Sequence, residues 1–461
     1  MPISPARQAA FRILLRVESG RAFAVDLLQG REVARLAEVD RRLATELVMG
    51  TLRWRGELDY QLESLSGKPS RYFDLEVLTI LRLGIYQIRF LEKIPQSAVV
   101  NEAVELTKAA GKRSAAGLVN AVLRKCQPAK ARPRKIGAGE GDRGLLQAAR
   151  RSFPAWILER WEQAYGREAA DSLALAGVAV PLTTLRAVRG SREDAQQALA
   201  QEGVQAESGK YSGRALVVRS GNVLNSEAFR RGDVVIQDEA SQLVVDLVAP
   251  QAGQRVLDVC AAPGIKAHQL AHALGEGTLV ACDLSARRLQ TMKSLLSGRI
   301  PAAVEFHVVR LDASRALPFS GQFERILVDV PCSGTGTLAR NPEIKWRLKP
   351  ADLPRLAELQ RSILENVLRL LAPDGRLVYS TCSLEPEENE QVVESVLDEN
   401  RDVRLMTAAE LSRESPALAG LFDSRGYFRT RPDLHGMDGF FAAVIVRAGT
   451  KQANPTPPPD R

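Results

Sequence analysis

Apolar residues in the first 125 positions recur every three or four residues. Val77, Ile80, Gly84, Ile88 and Leu91 form one such stripe, the spacing of a helix with one buried face. The whole stretch predicts an all-helical domain. Within it, Pro95 precedes Ser97, which is expected to cap a new helix that runs through Val104. The period stops at 127–143, where Pro128, Lys130, Arg132, Pro133, Arg134, Lys135, Gly137, Gly139 and Gly141 predict a linker. Shorter alternating segments follow: a helix near Trp156 to Ala164, a strand near Leu182 to Val188, a helix from Asp194 to Glu202 and a strand near Ala215 to Val218. That order predicts a small α+β module. From Val234 onward, strand-length apolar runs alternate with helical stripes. Strands are expected at Val256–Val259, Thr278–Cys282, Val304–Val309 and Arg325–Val328, and helices at Lys266–Ala273 and Ser285–Leu296. This is the pattern of a doubly wound parallel sheet. Leu356, Leu359, Ile363, Val367 and Leu370 mark the apolar face of a long helix before a β-rich run, Leu377 to Ser383, that Pro386 ends. The proline-rich tail after Ala448 is expected to be disordered.

Length and composition refine this picture. A chain of 461 residues is long enough for two or three cores. The net charge of +8 is uneven: residues 1–135 hold 24 Lys and Arg against 14 Asp and Glu, while the remainder holds 39 against 41. A basic N-terminal third suits nucleic acid or an anionic surface, and also a merely solvated basic domain. Five cysteines without a CxxC pair argue against a disulfide scaffold or structural zinc. No apolar run approaches the roughly 20 residues of a membrane span, and no signal-peptide pattern opens the chain. The expectation is a soluble, cytoplasmic protein without metal or membrane partner, a monomer being favoured.

The candidate chemistry sits where predicted strands end. In open α/β sheets ligands bind beyond the carboxyl ends of the strands. Cys260-Ala261-Ala262-Pro263-Gly264-Ile265-Lys266 joins a strand to a helix with small residues that allow backbone amides close to a ligand, or that make an ordinary tight turn. Asp283 follows the next strand, where a carboxylate can accept from ribose hydroxyls or cap a helix. Asp312 can accept from an adenine amino group or cap likewise. Together they have the order of an S-adenosylmethionine pocket. Two thiols, Cys332 in Asp329-Val330-Pro331-Cys332 and Cys382 in Thr381-Cys382-Ser383, end two further strands and suggest one cleft.

The combination of these last two motifs resembles the RNA cytosine-C5 methyltransferases. So do Gln237-Asp238-Glu239-Ala240-Ser241, Pro342-Glu343-Ile344-Lys345-Trp346 and His435 to Phe441. The segments Ile94–Val104 and Gly117–Arg124 resemble the NusB-like RNA-binding domain found in the Sun-type branch, whose substrate is a cytosine of 16S rRNA. The resemblance implies a NusB-like helical domain (1–126), a linker (127–143), a small RNA-recognition-like α+β module (144–233), a Rossmann-like S-adenosylmethionine-dependent methyltransferase domain (234–448) and a tail (449–461). It implies Cys382 as the nucleophile on cytosine C6, Cys332 as the thiol that assists elimination, and Asp329 as the carboxyl group near N3. It also implies that 260–266, Asp283, Asp312 and Asp329 line the cofactor pocket, and that RNA is the partner. Lys345 and Trp346 could hold RNA by charge and stacking, or serve as a salt bridge and a core side chain.

The sequence departs from the family at two places. The usual PGGKT reads Pro263-Gly264-Ile265-Lys266-Ala267, and a branched Ile265 would be strained or would narrow the pocket if that position supplies positive φ or close approach to the cofactor. Val330 stands where Ala is usual. Two rival readings are a noncatalytic RNA-binding or ribosome-assembly protein with a decayed pocket, and the same chemistry on tRNA.

Overall fold

The computed structural model describes residues 3–20, 22–128 and 143–449. All but the ends of the expected linker, and the expected tail beyond Gly449, lie outside the described residues. The chain divides into two compact units. The first takes its described residues from 1–181 together with 337–350, and the second from 182–336 together with 351–461.

The first unit is helical, as the apolar period requires. Eight α-helices precede residue 126, among them Pro5–Glu18, Glu38–Arg53, Leu75–Phe90 and Gln96–Ala109. Leu75–Phe90 is buried on nearly every side from Thr79 to Ile88, the mark of a central helix rather than a surface one. Its Arg82 is also buried, and its guanidinium donates to both oxygens of Asp59 at 2.6 and 2.8 Å and reaches Glu18 at 3.2 Å. Ser97 does not cap: the helix starts at Gln96, and Pro95 occupies the capping position with its fixed φ of −61°. Three more helices, Arg143–Arg151, Ala155–Tyr165 and Arg167–Val178, belong to this unit. The span expected as one module, 144–233, is thus divided after Pro181.

The segment 337–350 is tied into this unit by its polar groups. Glu343 accepts from Ala24 N at 2.6 Å, and Lys345 Nζ donates to Arg53 O at 2.8 Å while lying 4.2 Å from the centre of the Phe153 ring. Arg347 donates to Val17 O and Ala22 O. Lys345 is fully buried, so the sequence-based reading of it as a handle for RNA is overturned. Its amine is held well below the usual lysine range by burial, then by the charges of Arg53 and Arg55. Trp346 is half-buried, with the Arg55 guanidinium 4.9 Å from its ring.

The second unit begins with a four-stranded antiparallel sheet ordered β2-β3-β1-β4, where β1 is Thr184–Ala187, β2 Gln205–Ser208, β3 Ala215–Ser220 and β4 Val234–Ile236. Helix Arg192–Gln201 packs on it behind a capping box made by Ser191 and Asp194. The larger sheet runs β10-β12-β9-β8-β5-β6-β7, with β11 paired to β12 off this path. Its strands are β5 Arg255–Val259, β6 Gly277–Asp283, β7 Val304–Arg310, β8 Phe323–Asp329, β9 Leu371–Thr381, β10 Val403–Leu405, β11 Phe428–Arg429 and β12 Phe441–Arg447. The strands from β5 to β9 are parallel, but β12 lies antiparallel to β9 and β10 antiparallel to β12, so the sheet is mixed rather than wholly parallel. β8 and β9 are covered on both faces, hence the unbroken apolar runs Ile326-Leu327-Val328 and Leu377-Val378-Tyr379. On the helix Asp352–Leu368 the buried face is Leu353, Gln360, Ile363, Leu364, Val367 and Leu368. Leu359, expected on that face, is exposed, and Leu370 lies beyond the helix end.

Strand order reverses between β5 and β8. β6 and β7 extend the sheet to one side of β5, β8 and β9 to the other. The crevice outside the carboxyl ends at such a switch point is where ligands bind in this class of sheet.

Candidate active site

The loop after β5 turns sharply on two residues. Cys260 has φ +64° and Gly264 has φ +106°, and a Cβ on Gly264 would fall 2.5 Å from Met292 Cγ. Glycine is therefore required at 264 both by conformation and by space. Ile265 is not strained: it is the first residue of helix Ile265–Leu274, and the loop's positive φ falls on Gly264 before it. Ala261 N donates to Cys282 O at 2.7 Å, and Ala262 N to Asp283 Oδ2 at 3.3 Å. Asp283 also accepts from Ser285 N at 2.8 Å, and Arg288 donates to Ala262 O while lying 3.4 Å from the same carboxylate. Loop and carboxylate thus form one polar cradle. Pro263 is exposed at its tip. Asp312 follows Leu311, whose N donates to Asp283 O at 3.2 Å, and its own oxygens go to Ser314 and Arg315, the Ser314 bond holding it below the usual carboxylate range.

Lys266, on the first turn of that helix, reaches toward β8. Its Nζ donates to Asp329 Oδ2 at 2.8 Å, and Ser380 Oγ donates to Asp329 Oδ1 at 2.8 Å. Phe440, immediately before β12, sets its ring 5.1 Å from the ammonium. Burial works to lower the Lys266 pKa, but the charges of Asp329, Cys382 and Asp258 outweigh it and raise it above the usual range. Asp258, inside β5, is fully buried with no hydrogen-bond partner on either oxygen. Burial, followed by the Asp329 charge, pushes it far above the usual carboxylate range.

The two thiols meet. Cys332 Sγ lies 3.1 Å from Cys382 Sγ, both free, one on the loop after β8 and the other directly after β9. The bond to Cys382, and then burial, raise Cys332 well above the usual thiol range, which leaves the proton on Cys332. Burial pushes Cys126 to about 11 and Cys282 to about 12, and Cys260 higher still, so these three are inert by environment. The thiol loops are braced by backbone: Gly336 N donates to Cys382 O at 2.9 Å, and Gly439 N to Gly336 O at 2.8 Å. A Cβ on Gly336 would fall 2.0 Å from Gly439 O, so only glycine lets these two backbones meet.

Of the residues singled out from sequence, the structure brings 260–264 together with Asp283, Lys266 with Asp329, and Cys332 with Cys382. It leaves the Asp312 carboxylate on its own turn. The sequence reading missed Ser380, Phe440, Gln360 and Glu388. Ser380 and Phe440 lie inside quoted motifs, but the polar contacts of Gln360 and Glu388 leave no mark in spacing.

A small-residue loop and a carboxylate at the switch point, with two thiols on the adjoining strand ends, define an α/β methyltransferase with a cysteine-bearing site. Comparison with known proteins agrees. The description "16S rRNA methyltransferase RsmB/F" matches residues 245–446, "NusB family" matches 4–128, and the RsmF/B-like ferredoxin-like domain matches 153–224. A relative from Bacillus subtilis (strain 168), "Probable ribosomal RNA small subunit methyltransferase B", is 34% identical over 97% of this chain and 100% of its own. The crystal structure of PH0851 shares the fold with TM-score 0.76 at 22% identity, over 97% of this chain and 99% of that one. A methyltransferase homologue from Pyrococcus horikoshii gives TM-score 0.55 at 28% identity, over 66% and 99%. The chain belongs to the 16S rRNA methyltransferase RsmB/F family, RNA methyltransferases that depend on S-adenosylmethionine. The cradle fits that cofactor: positive φ at Cys260 and Gly264 turns backbone inward, and Asp283 is held at a strand end where it can accept from hydroxyls. Among the described residues no helix is long and apolar enough to cross a membrane.

Proposed function

We propose that this chain methylates carbon 5 of a cytosine in 16S rRNA through a covalent adduct of Cys382 with carbon 6. The observation that carries this reading is the pair of thiols 3.1 Å apart beside the Lys266–Asp329 pair. Carbon 5 of cytosine is a poor nucleophile. Thiolate addition at carbon 6 turns it into an enamine-like carbon that can take a methyl group. Lys266 places a positive charge near Cys382. As electron density builds on the ring, N3 takes up a proton from water, and the Asp329 carboxylate, which Lys266 and Ser380 hold in place, accepts a hydrogen bond from the N3–H so formed.

The cofactor supplies the methyl group as an electrophilic sulfonium substituent. The backbone of 260–264 and Asp283 would hold it. Once carbon 5 carries the methyl group, its proton passes to a base and the bonding pair restores the C5–C6 double bond. In the same step the C6–S bond breaks, its pair returning to Cys382 Sγ, and N3 gives back its proton to water. Cys332 is assigned to this step, because a thiol that keeps its proton at 3.1 Å stabilises the departing sulfur. The cytosine must be swung out of its stack to reach the site. The test is methyl transfer from labelled S-adenosylmethionine to unmodified 16S rRNA, followed by nucleoside analysis. The expected product is labelled 5-methylcytidine. Label in another nucleoside, or in tRNA alone, would overturn the assignment.

A further inference from the structure

Glu388 is a fully buried acidic side chain with no Lys, Arg or His in ion-pair reach among the described residues. Burying a carboxylate in this way is costly unless hydrogen bonds replace its water. Three do. Oε1 accepts from Ser333 N at 2.8 Å and from Gln360 Nε2 at 2.9 Å, and Oε2 accepts from Ser383 Oγ at 2.6 Å. Ser333 follows Cys332, and Ser383 follows Cys382, so one carboxylate touches the neighbours of both thiols. Gln360 Nε2 also donates to Pro331 O at 2.9 Å, on the other side of Cys332. The hydroxyls of Ser333 and Ser383 lie 3.0 Å apart, and Tyr379 Oη donates to the Glu388 carbonyl at 2.6 Å, which fixes the backbone that carries the carboxylate.

These bonds fall unequally on the two thiols. The Cys382 loop has other anchors: Thr381 pairs with Phe441 in the sheet, Gly336 N binds Cys382 O, and Asn389 Nδ2 binds Ser383 O at 3.0 Å. The Cys332 loop is anchored at its two ends, by Val330 N on Ser380 O at 3.1 Å and by Gly336 N on Cys382 O, whereas on either side of the thiol the Ser333 N–H goes to Glu388 and the Pro331 carbonyl to Gln360, which Glu388 holds. We propose that Glu388 is the positioning residue that sets the Cys332 thiol against Cys382, so that release of the methylated RNA, more than formation of the adduct, depends on it. The proposal rests on the covalent mechanism above. Its negative charge also contributes to keeping the proton on Cys332, after the Cys382 bond and burial.

The experiment follows the protein–RNA band that survives a denaturing gel, together with labelled product, for wild type, Cys332→Ala, Glu388→Ala and Glu388→Gln. Glu388→Ala is expected to raise the steady-state band at least tenfold over wild type while product formation falls, as Cys332→Ala does. Glu388→Gln keeps an acceptor for the two N–H donors and can donate to Ser383 Oγ, so it is expected to return the band to near the wild-type level. A merely structural role would lower band and product together, in proportion to the folded fraction, and would overturn the proposal. So would Glu388→Ala with wild-type band and turnover. If Glu388→Ala does not fold, Ser383→Ala, which removes one of the three bonds, is expected to raise the band at least twofold, and an unchanged band there would overturn it. If Cys332→Ala itself yields no band, the covalent mechanism has failed and not the role of Glu388 within it.

Discussion

At Lys345 the sequence left open RNA contact or a salt bridge, and the structure shows neither but a buried amine with one carbonyl partner and an aromatic ring. An ammonium there must lose its water without a carboxylate in return. Because burial depresses its pKa, the unfolded chain binds a proton that the native state gives up. Stability is therefore lost as pH falls from the ordinary lysine value near 10.5 through the depressed native one. Lys345→Met should be neutral or stabilising at pH 7, by roughly 1–4 kcal/mol, the range seen when buried charges give way to apolar side chains. The gain should shrink at pH 10, and urea denaturation at the two pH values measures it. RNA affinity should not change, and a loss of affinity in a stably folded variant would restore the handle reading. Ile265 teaches the converse. Its oddness was legible, but its consequence depended on where the helix begins, and the start at Ile265 leaves the positive φ on Gly264 before it.

At the scale of elements, strand β1 and the cofactor-loop helix Ile265–Leu274 are joined by a buried polar network. Arg186 donates to Gln237 Oε1 at 2.7 Å and lies 2.7 Å from His268 Nδ1. Gln237 donates to Gln269 Oε1 at 2.6 Å, and Gln269 to Asp246 Oδ1 at 2.9 Å. Burial, reinforced by the Arg186 charge, pushes His268 down to about 3, so its neutral ring accepts from Arg186. Burial pushes Asp246 up to about 6, against the Gln269 bond and the charge of Arg186. The signs are opposite. His268 costs stability as pH falls below about 6.5, whereas Asp246 costs stability as pH rises from about 4 through about 6. Comparison with Asp246→Asn isolates the second effect. Between pH 4 and pH 7 the variant should gain on wild type, by well under the full value of the shift because the Asp246 side chain is exposed to solvent, which screens its charge. Denaturant midpoints at the two pH values check this, and a constant difference would contradict it.

For the molecule as a whole, the periods of three to four and the strand-length runs disclosed the helical unit, strands β5 to β9 and both thiols, because each is set by local patterning or a short motif. β10 and β11 span only three and two residues, too short to show a period. β12 begins at Phe441, the last residue of the quoted motif, and the run from Ala442 to Arg447 was given no element, which is why the sheet was expected to be parallel throughout. That helices 143–178 and segment 337–350 belong with the first unit is a matter of packing between residues far apart in sequence, which no local pattern records. Glu388 sits among Glu385, Glu387 and Glu390; Glu385 is buried as well, and nothing in that acidic run marks the one whose carboxylate bonds to the thiol loops. The account turns on the division of labour between the two thiols, and the most direct measurement is the covalent protein–RNA band formed with S-adenosylmethionine and unmodified 16S rRNA. Cys332→Ala should accumulate the band, and Cys382→Ala should form neither band nor 5-methylcytidine. A band in Cys382→Ala, or equal bands in the two variants, would contradict the account.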